Sequence, residues 1–463
     1  MRNLFILSIF VFACHSSFGQ HQADKWFFGM NAGLDFISGS PVAVSGAVQT
    51  TEGCSAVSDE AGNLLLYTDG VTVWNNNHEV MPNGTGLFGG VSTTQSALIV
   101  PAPGSSDDYY YIFTLDEFGG PNGLSYSIVN MTLDSGSGDV ITKNVLVQND
   151  VTERIAALKQ PNGLDYWIVV HEWGSDAFYT YSLTSAGLQS PVISNTGIIH
   201  STAQIQNTYG QMKFSTCNDK LAVAAGYQDT IQVFDFDLTT GIVSNPITIP
   251  AADHVYGLEF SPDGSELYVT CYDTWGTLLQ YDINGNNQYN IILSKIALSV
   301  TPDLYALQVG PDGKIYVCKS WSSTLGVINF PDVHGYSCDF NESAINLDPN
   351  YQGITSALGL PEFAQNFFKT ENSCLATMVN PLSSSGKFFL SPNPAAEAFN
   401  LSTGDFTAPL AITVCDAEGR LIFETENFNG QSFSFGEDLK PGIYFVTIKN
   451  LKEIHFLKAI KTY

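Results

Sequence analysis

Along most of the chain, apolar residues come in short runs, and the runs are separated by Gly, Pro, Asp and Asn. The plan is clearest in "GLEFSPDGSELYVTCYD" (257–273), where an apolar strand meets a Pro-Asp-Gly turn and a second strand of aromatic and β-branched residues returns. "ALQVGPDGKIYVCKSW" (306–321) and "QMKFSTCNDKLAVAAGY" (211–227) repeat it. Looser copies are "RIAALKQPNGLDYWIVVHEW" (154–173), "SALIVPAPGSSDDYYYIFTLDE" (96–117) and "CSAVSDEAGNLLLYTDG" (54–70). Pro262 and Pro311 preset φ ahead of Asp263-Gly264 and Asp312-Gly313, and Gly takes positive φ at little cost. A third strand follows some hairpins, as in "TIQVFDFDL" (230–238) and "TLLQYDI" (277–283), where alternation marks one buried and one wetter face.

The copies start near 55, 96, 154, 210, 257 and 306, which is the spacing of a four-stranded antiparallel unit. Such a unit buries its faces only against neighbours. Six units call for a seventh shared between the ends. "LGLPEFAQNFF" (358–368) supplies its first strand, and "DKWFFGMNAGLDFISG" (24–39) its outer ones. Closing the ring with both ends removes an exposed edge. Residues 20–368 therefore predict an all-β fold, a β-propeller of seven blades, with six or eight also compatible. A polar linker (369–387) follows, and then a small β-sandwich (388–463) with short strands such as "LAITVCDAEGRLIFETE" and "GIYFVTIK". In "GIYFVTIK" the alternation predicts a strand buried on both sides.

Residues 1–19 stand apart: a positive start, the apolar "LFILSIFVFA" and a small-residue exit read as a cleaved secretory signal peptide, with a lipoprotein signal acylated at Cys14 as the rival. The ten residues of that apolar run are too few to span a bilayer, and no other apolar stretch approaches the length of a transmembrane span. The cysteines that remain (54, 217, 271, 318, 338, 374 and 415) are too widely spaced for a disulfide framework or zinc ribbon; Cys318–Cys338 and Cys338–Cys374 are the pairs worth testing. Net charge is −27, and almost all of it lies before residue 388, which excludes nucleic acid as a partner. Lysines instead punctuate the C-terminus, at positions 440, 449, 452, 458 and 461.

"LSPNPAAEAFNL" (390–401), "ITVCDAEGRLIF" (412–423), "DLKPGIYFVTI" (438–448) and "FLKAIKTY" (456–463) together resemble the C-terminal sorting domain of the type IX secretion system of Bacteroidota. The resemblance implies an interaction with that secretion machinery and a secreted or outer-surface location in a Gram-negative bacterium. It also implies removal of the domain on export and, for many cargoes, attachment to surface lipopolysaccharide. Pro392, Asn393, Pro394, Gly442, Tyr444, Lys458 and Lys461 carry the sorting motif. "WFFGMNAGLDF" and "YTDGVTVWNNNHEVMPNGTGLFGG" (67–90) are similar to long surface proteins of the same bacteria, and "FSPDGSELYV" resembles the repeat of TolB-type propellers. Neither brings an activity with it.

Candidate chemistry is sparse. Arg154 is the one arginine between 20 and 387, too few for a sialidase triad, and no zinc helix or nucleophile elbow occurs. "HEWGSD" (171–176) gathers His, Glu and Asp, yet a strand sends His171 and Glu172 to opposite faces, and His200 and His254 stand isolated. Asp282, Asn284 and Asn286 alternate around Gly285 like the start of a calcium loop, although turn formation explains them as well. No other cofactor is implied. Trp173, Trp275 and Trp321 sit beside turns, where they could stack on sugar rings. The sequence thus favours a secreted binding or adhesion module with a glycan or protein ligand. The alternative is a carbohydrate-active or other hydrolytic enzyme with its site at the channel mouth, which three or more of Asp69, Glu172, His254, Asp273 and Asp303 meeting in one pocket would favour.

Overall fold

The computed structural model describes residues 21–368 except 106–107, 218, 252–253, 273–276 and 285–286. It also describes 388–462 except 392–394, 396, 403–409, 417–419, 431 and 450–453. The chain divides into two compact units, Met1–Ala376 and Thr377–Tyr463. The signal peptide, the linker, Cys14, Cys374, Asp273, Trp275, Asn286 and Pro392–Pro394 lie outside the described residues.

The first unit holds seven sheets, and six of them begin where the sequence repeats begin. Their inner strands are Cys54–Ser58, Ala97–Pro101, Val151–Lys159, Met212–Phe214, Val255–Phe260 and Leu304–Val309. Each pairs antiparallel with the next strand in sequence, and the order continues outward. Val255–Phe260 and Glu266–Cys271 are buried throughout, because they face neighbours on both sides. Outer strands such as Val192–Asn195 bury far less, here Ser194 alone. The predicted turns hold: Gly264 and Gly313 take φ 74° and 73° between their strands.

Backbone hydrogen bonds link the entry of one inner strand to the next: the Gly53 amide to the Thr93 carbonyl (2.9 Å), Gln95 to Glu153 (3.2 Å) and Gln211 to Tyr256 (2.8 Å). The ring shuts through Leu358, whose carbonyl accepts from Ala306 (3.1 Å) and whose amide donates to Thr51 (2.8 Å). The fold is a β-propeller.

Closure differs from the expectation in one respect. Lys25–Phe28, Met30–Asp35 and Val42–Gln49 form the seventh sheet, but Pro361–Glu362 pairs in parallel with Cys54–Ser55 of the adjacent blade. An inner position next to the axis lets a two-residue strand bond around the ring. The two ends are held to each other by packing: Trp26, fully buried, meets Phe36 (5.0 Å between ring centroids), Tyr316 (5.3 Å) and Phe363 (5.9 Å).

The axis is filled with polar groups. Lys213 Nζ lies 2.5 Å from Glu362 Oε2, 2.6 Å from Gln308 Oε1 and 3.9 Å from Glu259 Oε2. Gln211 Nε2 donates to Glu362 Oε1 (2.7 Å), and Gln95 Oε1 accepts from the amides of Ile155 (3.1 Å) and Met212 (2.9 Å). Inner-strand side chains that point at the axis can reach neither water nor a blade core, so they must satisfy one another. Among the described cysteines, Cys318 and Cys338 are both free, so the Cys318–Cys338 pair named for testing is not formed.

The second unit is a two-sheet β-sandwich: Phe389–Ser391, Phe399–Ser402 and Ser432–Phe435 face Leu421–Phe428, Leu410–Asp416, Gly442–Lys449 and Ile454–Lys461. Phe399, Leu401, Ile412, Val414, Val446 and Ile448 form its core. Gly442–Lys449 is not buried on both sides: Tyr444, Val446 and Ile448 point inward, whereas Phe445 is 47% exposed, because no second layer covers that face. Lys461 is not a free edge charge. It is buried, and its ammonium donates to the carbonyls of Glu397 and Gly436, while Tyr444 Oη donates to the Lys440 carbonyl (2.9 Å).

Removing one member of a buried ion pair strands the others. Lys213→Met is expected to destabilise the full chain by roughly 3–5 kcal/mol in urea unfolding, with part of the loss recovered in Lys213→Met/Glu362→Gln. A loss under about 1 kcal/mol would mean that the clasp does not hold the ring.

Candidate functional site

All inner strands begin on one face of the ring, and loops between second and third strands return to it. This face therefore collects residues from every blade. Among the described residues, the acids that the enzyme alternative called for are engaged separately. Asp69 is turned onto the amides of Val71 (2.9 Å) and Thr72 (2.7 Å), Glu172 accepts from Tyr179 Oη (3.1 Å), and Asp303 is exposed.

A different set is assembled. Glu52, just before the first full inner strand, is buried; its Oε2 accepts from Tyr256 Oη (2.9 Å) and its Oε1 from Ser92 Oγ (3.2 Å). Burial, and then the neighbouring Glu153 carboxylate, push the Glu52 carboxyl up to about 8. Glu153 is fully buried and caps two loops: its Oε2 accepts from Thr94 N (2.9 Å) and Oγ1 (3.0 Å), its Oε1 from Phe118 N (2.8 Å). Burial raises its pKa as well. At neutral pH Glu52 is thus a neutral acid, able to donate a proton or a hydrogen bond.

Around Glu52 runs an arc of half-buried rings from three consecutive blades. Tyr227 stacks on His254 (3.9 Å, 18°), His254 Nδ1 meets Asp229 Oδ1 (2.7 Å), and Tyr272 stacks on Tyr305 (5.8 Å, 27°). Tyr256, at the floor, packs edge-on against Tyr305 (5.2 Å). Of the predicted tryptophans, Trp173 is half-buried against Gly119, with its indole N–H on the Ser201 carbonyl (3.3 Å). Trp321 is 57% exposed in a loop of the same face and holds φ at 51°, a strained backbone for a bulky residue.

His200 and His254 are not isolated. His200 stacks on His171 (3.7 Å between centroids), and its Nδ1 faces Arg154 Nη1 (3.1 Å). Burial holds His171 down at about 3 and His200 well below the usual range. Arg154 is itself fully buried, donating to the carbonyls of Ala224 (2.8 Å), Asn207 (3.3 Å) and Tyr209, so it pins the loop before the fourth inner strand and presents nothing to a ligand.

Asp282 Oδ1 accepts from the Asn284 amide (3.0 Å), as a turn requires, and Asn284 is exposed. Among the described residues no group of three His, Cys, Asp or Glu side chains is placed to hold a metal ion. No described helix is long and apolar enough to cross a membrane.

Comparison with known proteins bears on the two units differently. Residues 390–462 match the family described as the secretion system C-terminal sorting domain. That match indicates export by type IX secretion, hence a secreted or cell-surface protein, and implies contact with the secretion machinery. No curated protein matches the chain in sequence. Among solved structures, the periplasmic gluconolactonase PpgL of Pseudomonas aeruginosa is 11% identical, with TM-score 0.44 over 73% of this chain and 97% of that one. A protein of Bacteroides fragilis NCTC 9343, provisionally named a 6-phosphogluconolactonase, is 10% identical, with TM-score 0.44 over 73% and 97%.

The raised Glu52 carboxyl makes a prediction about pH. A carboxyl whose folded pKa lies above its unfolded value stabilises the fold fully below the unfolded value, about 4.5, and withdraws that support as pH rises to about 8. The buried His171 and His200 act in the opposite sense, costing stability below their unfolded value of 6.5. Comparing Glu52→Gln with wild type isolates the carboxyl. The melting temperature of the variant relative to wild type should climb between pH 5 and pH 8.5 by several degrees, on the order of 5 °C. A flat difference would mean that Glu52 titrates normally.

Proposed function

We propose that the propeller is a glycan-binding or adhesion module, delivered to the outer cell surface, and that it takes up its ligand on the face ringed by Tyr227, His254, Tyr272, Tyr305 and Trp321. The observation that carries this reading is the arc of half-buried rings. Stacked, partly wet aromatics offer flat apolar surface for the C–H faces of sugars, and their polar tips, with neutral Glu52 below, offer hydrogen bonds. The acidic body favours an uncharged ligand over a polyanion.

One observation supports a second reading. A glutamic acid held protonated near neutral pH, close to a second buried carboxyl, suits general acid catalysis of hydrolysis. The face would then be the mouth of an active site, and Glu52→Gln would abolish turnover while leaving binding intact.

Isothermal titration of the full chain against soluble α-glucan, β-glucan, mannan and xylan is expected to show saturable binding to at least one. Tyr227→Ala should weaken it roughly tenfold, about 1.4 kcal/mol. No heat with any of the four, or unchanged affinity in the variant, would remove this face as a glycan site. For delivery, deleting Asp438–Tyr463 takes away two strands of the sorting unit, so the truncated chain should stay in the periplasm. Normal surface arrival, scored by whole-cell protease accessibility, would contradict the assignment.

A further inference from the structure

On the face opposite the aromatic arc, where inner strands end, one loop reaches from its own blade onto the blade before it. Residues 329–339 join Thr324–Ile328 to Phe340–Asn346, yet they bond to the sheet of Val255–Phe260, Glu266–Cys271 and Thr277–Asp282. Tyr268 Oη donates to the Pro331 carbonyl (2.7 Å), and Gln280 Nε2 to the Val333 carbonyl (2.9 Å). Gln280 Oε1 accepts from the Gly335 amide (2.7 Å), and Tyr336 Oη donates to the Ala297 carbonyl (3.3 Å). Tyr268 and Gln280 are fully buried under this strap.

Two further contacts depend on a proton. Glu266, 3% exposed, meets His334 Nδ1 at 2.9 Å, and forms no other ion pair among the described residues. Asp332 Oδ1 accepts from the Asp263 amide (2.9 Å), which sets its carboxyl beside that of Asp263. The other charges nearby give no relief. Asp282 stands opposite Glu266 on the next strand, Asp339 closes the strap, and Asp219 on the blade beyond is bonded to Ser215 (3.1 Å). Lys314 is turned to Asn329 Oδ1 (3.0 Å), and neither it nor Lys295, beside the strand under Tyr336, pairs with these acids. Tyr268 and Cys338 are pushed up by burial and stay neutral. A carboxyl as buried as Glu266 must be neutralised by its own proton or by the His334 imidazolium, and rising pH removes both.

We propose that 329–339 is a pH-sensitive strap, clasped to the adjacent blade in mild acid and released as pH rises past neutrality, which uncovers Tyr268 and Gln280 on this face. Burial pushes Glu266 up to about 7; partial burial and the neighbouring Asp263 carboxylate push Asp332 up to about 6. Both folded values lie above the unfolded ones, 4.5 and 3.8, so their support is complete below those and is withdrawn as pH climbs through about 6 and about 7. Burial raises Asp263, but bonds from Ser265 and Ser261 outweigh it and hold that carboxyl below its usual value. Asp263 is therefore ionised in folded and unfolded chain alike across this window and adds no slope. Whichever of Glu266 and His334 carries the proton, their contact loses it on the alkaline side.

The test is hydrogen–deuterium exchange of the full chain at pH 5.5 and pH 8.0, corrected for intrinsic exchange. The amides of Val333, Gly335 and Cys338 are hydrogen-bonded in the closed strap and report its opening. The opening constant of 329–339 should rise roughly tenfold or more between the two pH values, the size that one unit of linked titration gives. That of 255–260 and 266–271 should not follow. Glu266→Gln/Asp332→Asn replaces both carboxyls by neutral amides of the same shape and should cut the rise to less than roughly threefold. Asp332 lies at the surface, so Asp332→Asn alone tests the second contact without disturbing the core, and should lower the rise. An opening constant equal at both pH values, a rise shared by 255–271, or a rise that either variant leaves intact would each overturn the proposal.

Discussion

Glu362 and Lys213 meet at the axis of the ring, and the remainder of the first unit depends on that meeting. Glu362 sits on the returning end of the propeller segment, Lys213 on an inner strand far away in sequence, with Gln308 and Glu259 from two further blades completing the group. Four-stranded sheets that bury both faces need neighbours on both sides, so an open ring would expose the first and last of them. A two-residue strand contributes little ladder energy. A charged cluster that cannot be left half-made is a stronger condition on closure, because every partial ring strands a charge. The aromatic group around Trp26 adds apolar burial to the same junction.

Once the ring is shut, its loops are free to vary. The face where inner strands begin shows this: Trp321, Phe118 and Asp303 hold positive φ there, and buried Arg154 and Glu153 spend their hydrogen bonds on loop backbone. The scaffold bears that cost and gains a face to which each blade contributes a ring or a polar group.

What could be read from the sequence, and what could not, follows the range of the interactions. Turn chemistry is local, so Asp263-Gly264 and Asp312-Gly313 announced their hairpins, and repeated hairpins announced the propeller. The Gly-Ile-Tyr-Phe block likewise announced the sorting unit. Convergence around the axis is not local. Glu52 gave no signal in "TTEGCS", since its environment comes from Tyr256, more than two hundred positions later. His200 and His254 looked isolated because the partners that meet them, His171 and Arg154 for one and Tyr227 and Asp229 for the other, are brought together only by the fold. Alternation in "GIYFVTIK" marked a strand but not how many layers cover it, and Phe445 proved to be on an open face. The aromatic arc was not legible for a similar reason: Tyr227, Tyr272 and Tyr305 lie on three different blades, and only the ring brings them side by side.

Two functions thus sit on separate parts of the chain. The C-terminal sandwich is an address for export, and the acidic propeller is what it delivers; the proposed working surface of the propeller is the face of the rings. Hydrogen–deuterium exchange of the full chain, with and without the glucan and mannan fractions, tests that division most directly. The account predicts protection of the backbone at 226–229, 254–256, 303–305 and 320–323 on ligand addition, and none in 410–449. Protection absent from those four loops, or confined to the C-terminal unit, would contradict it.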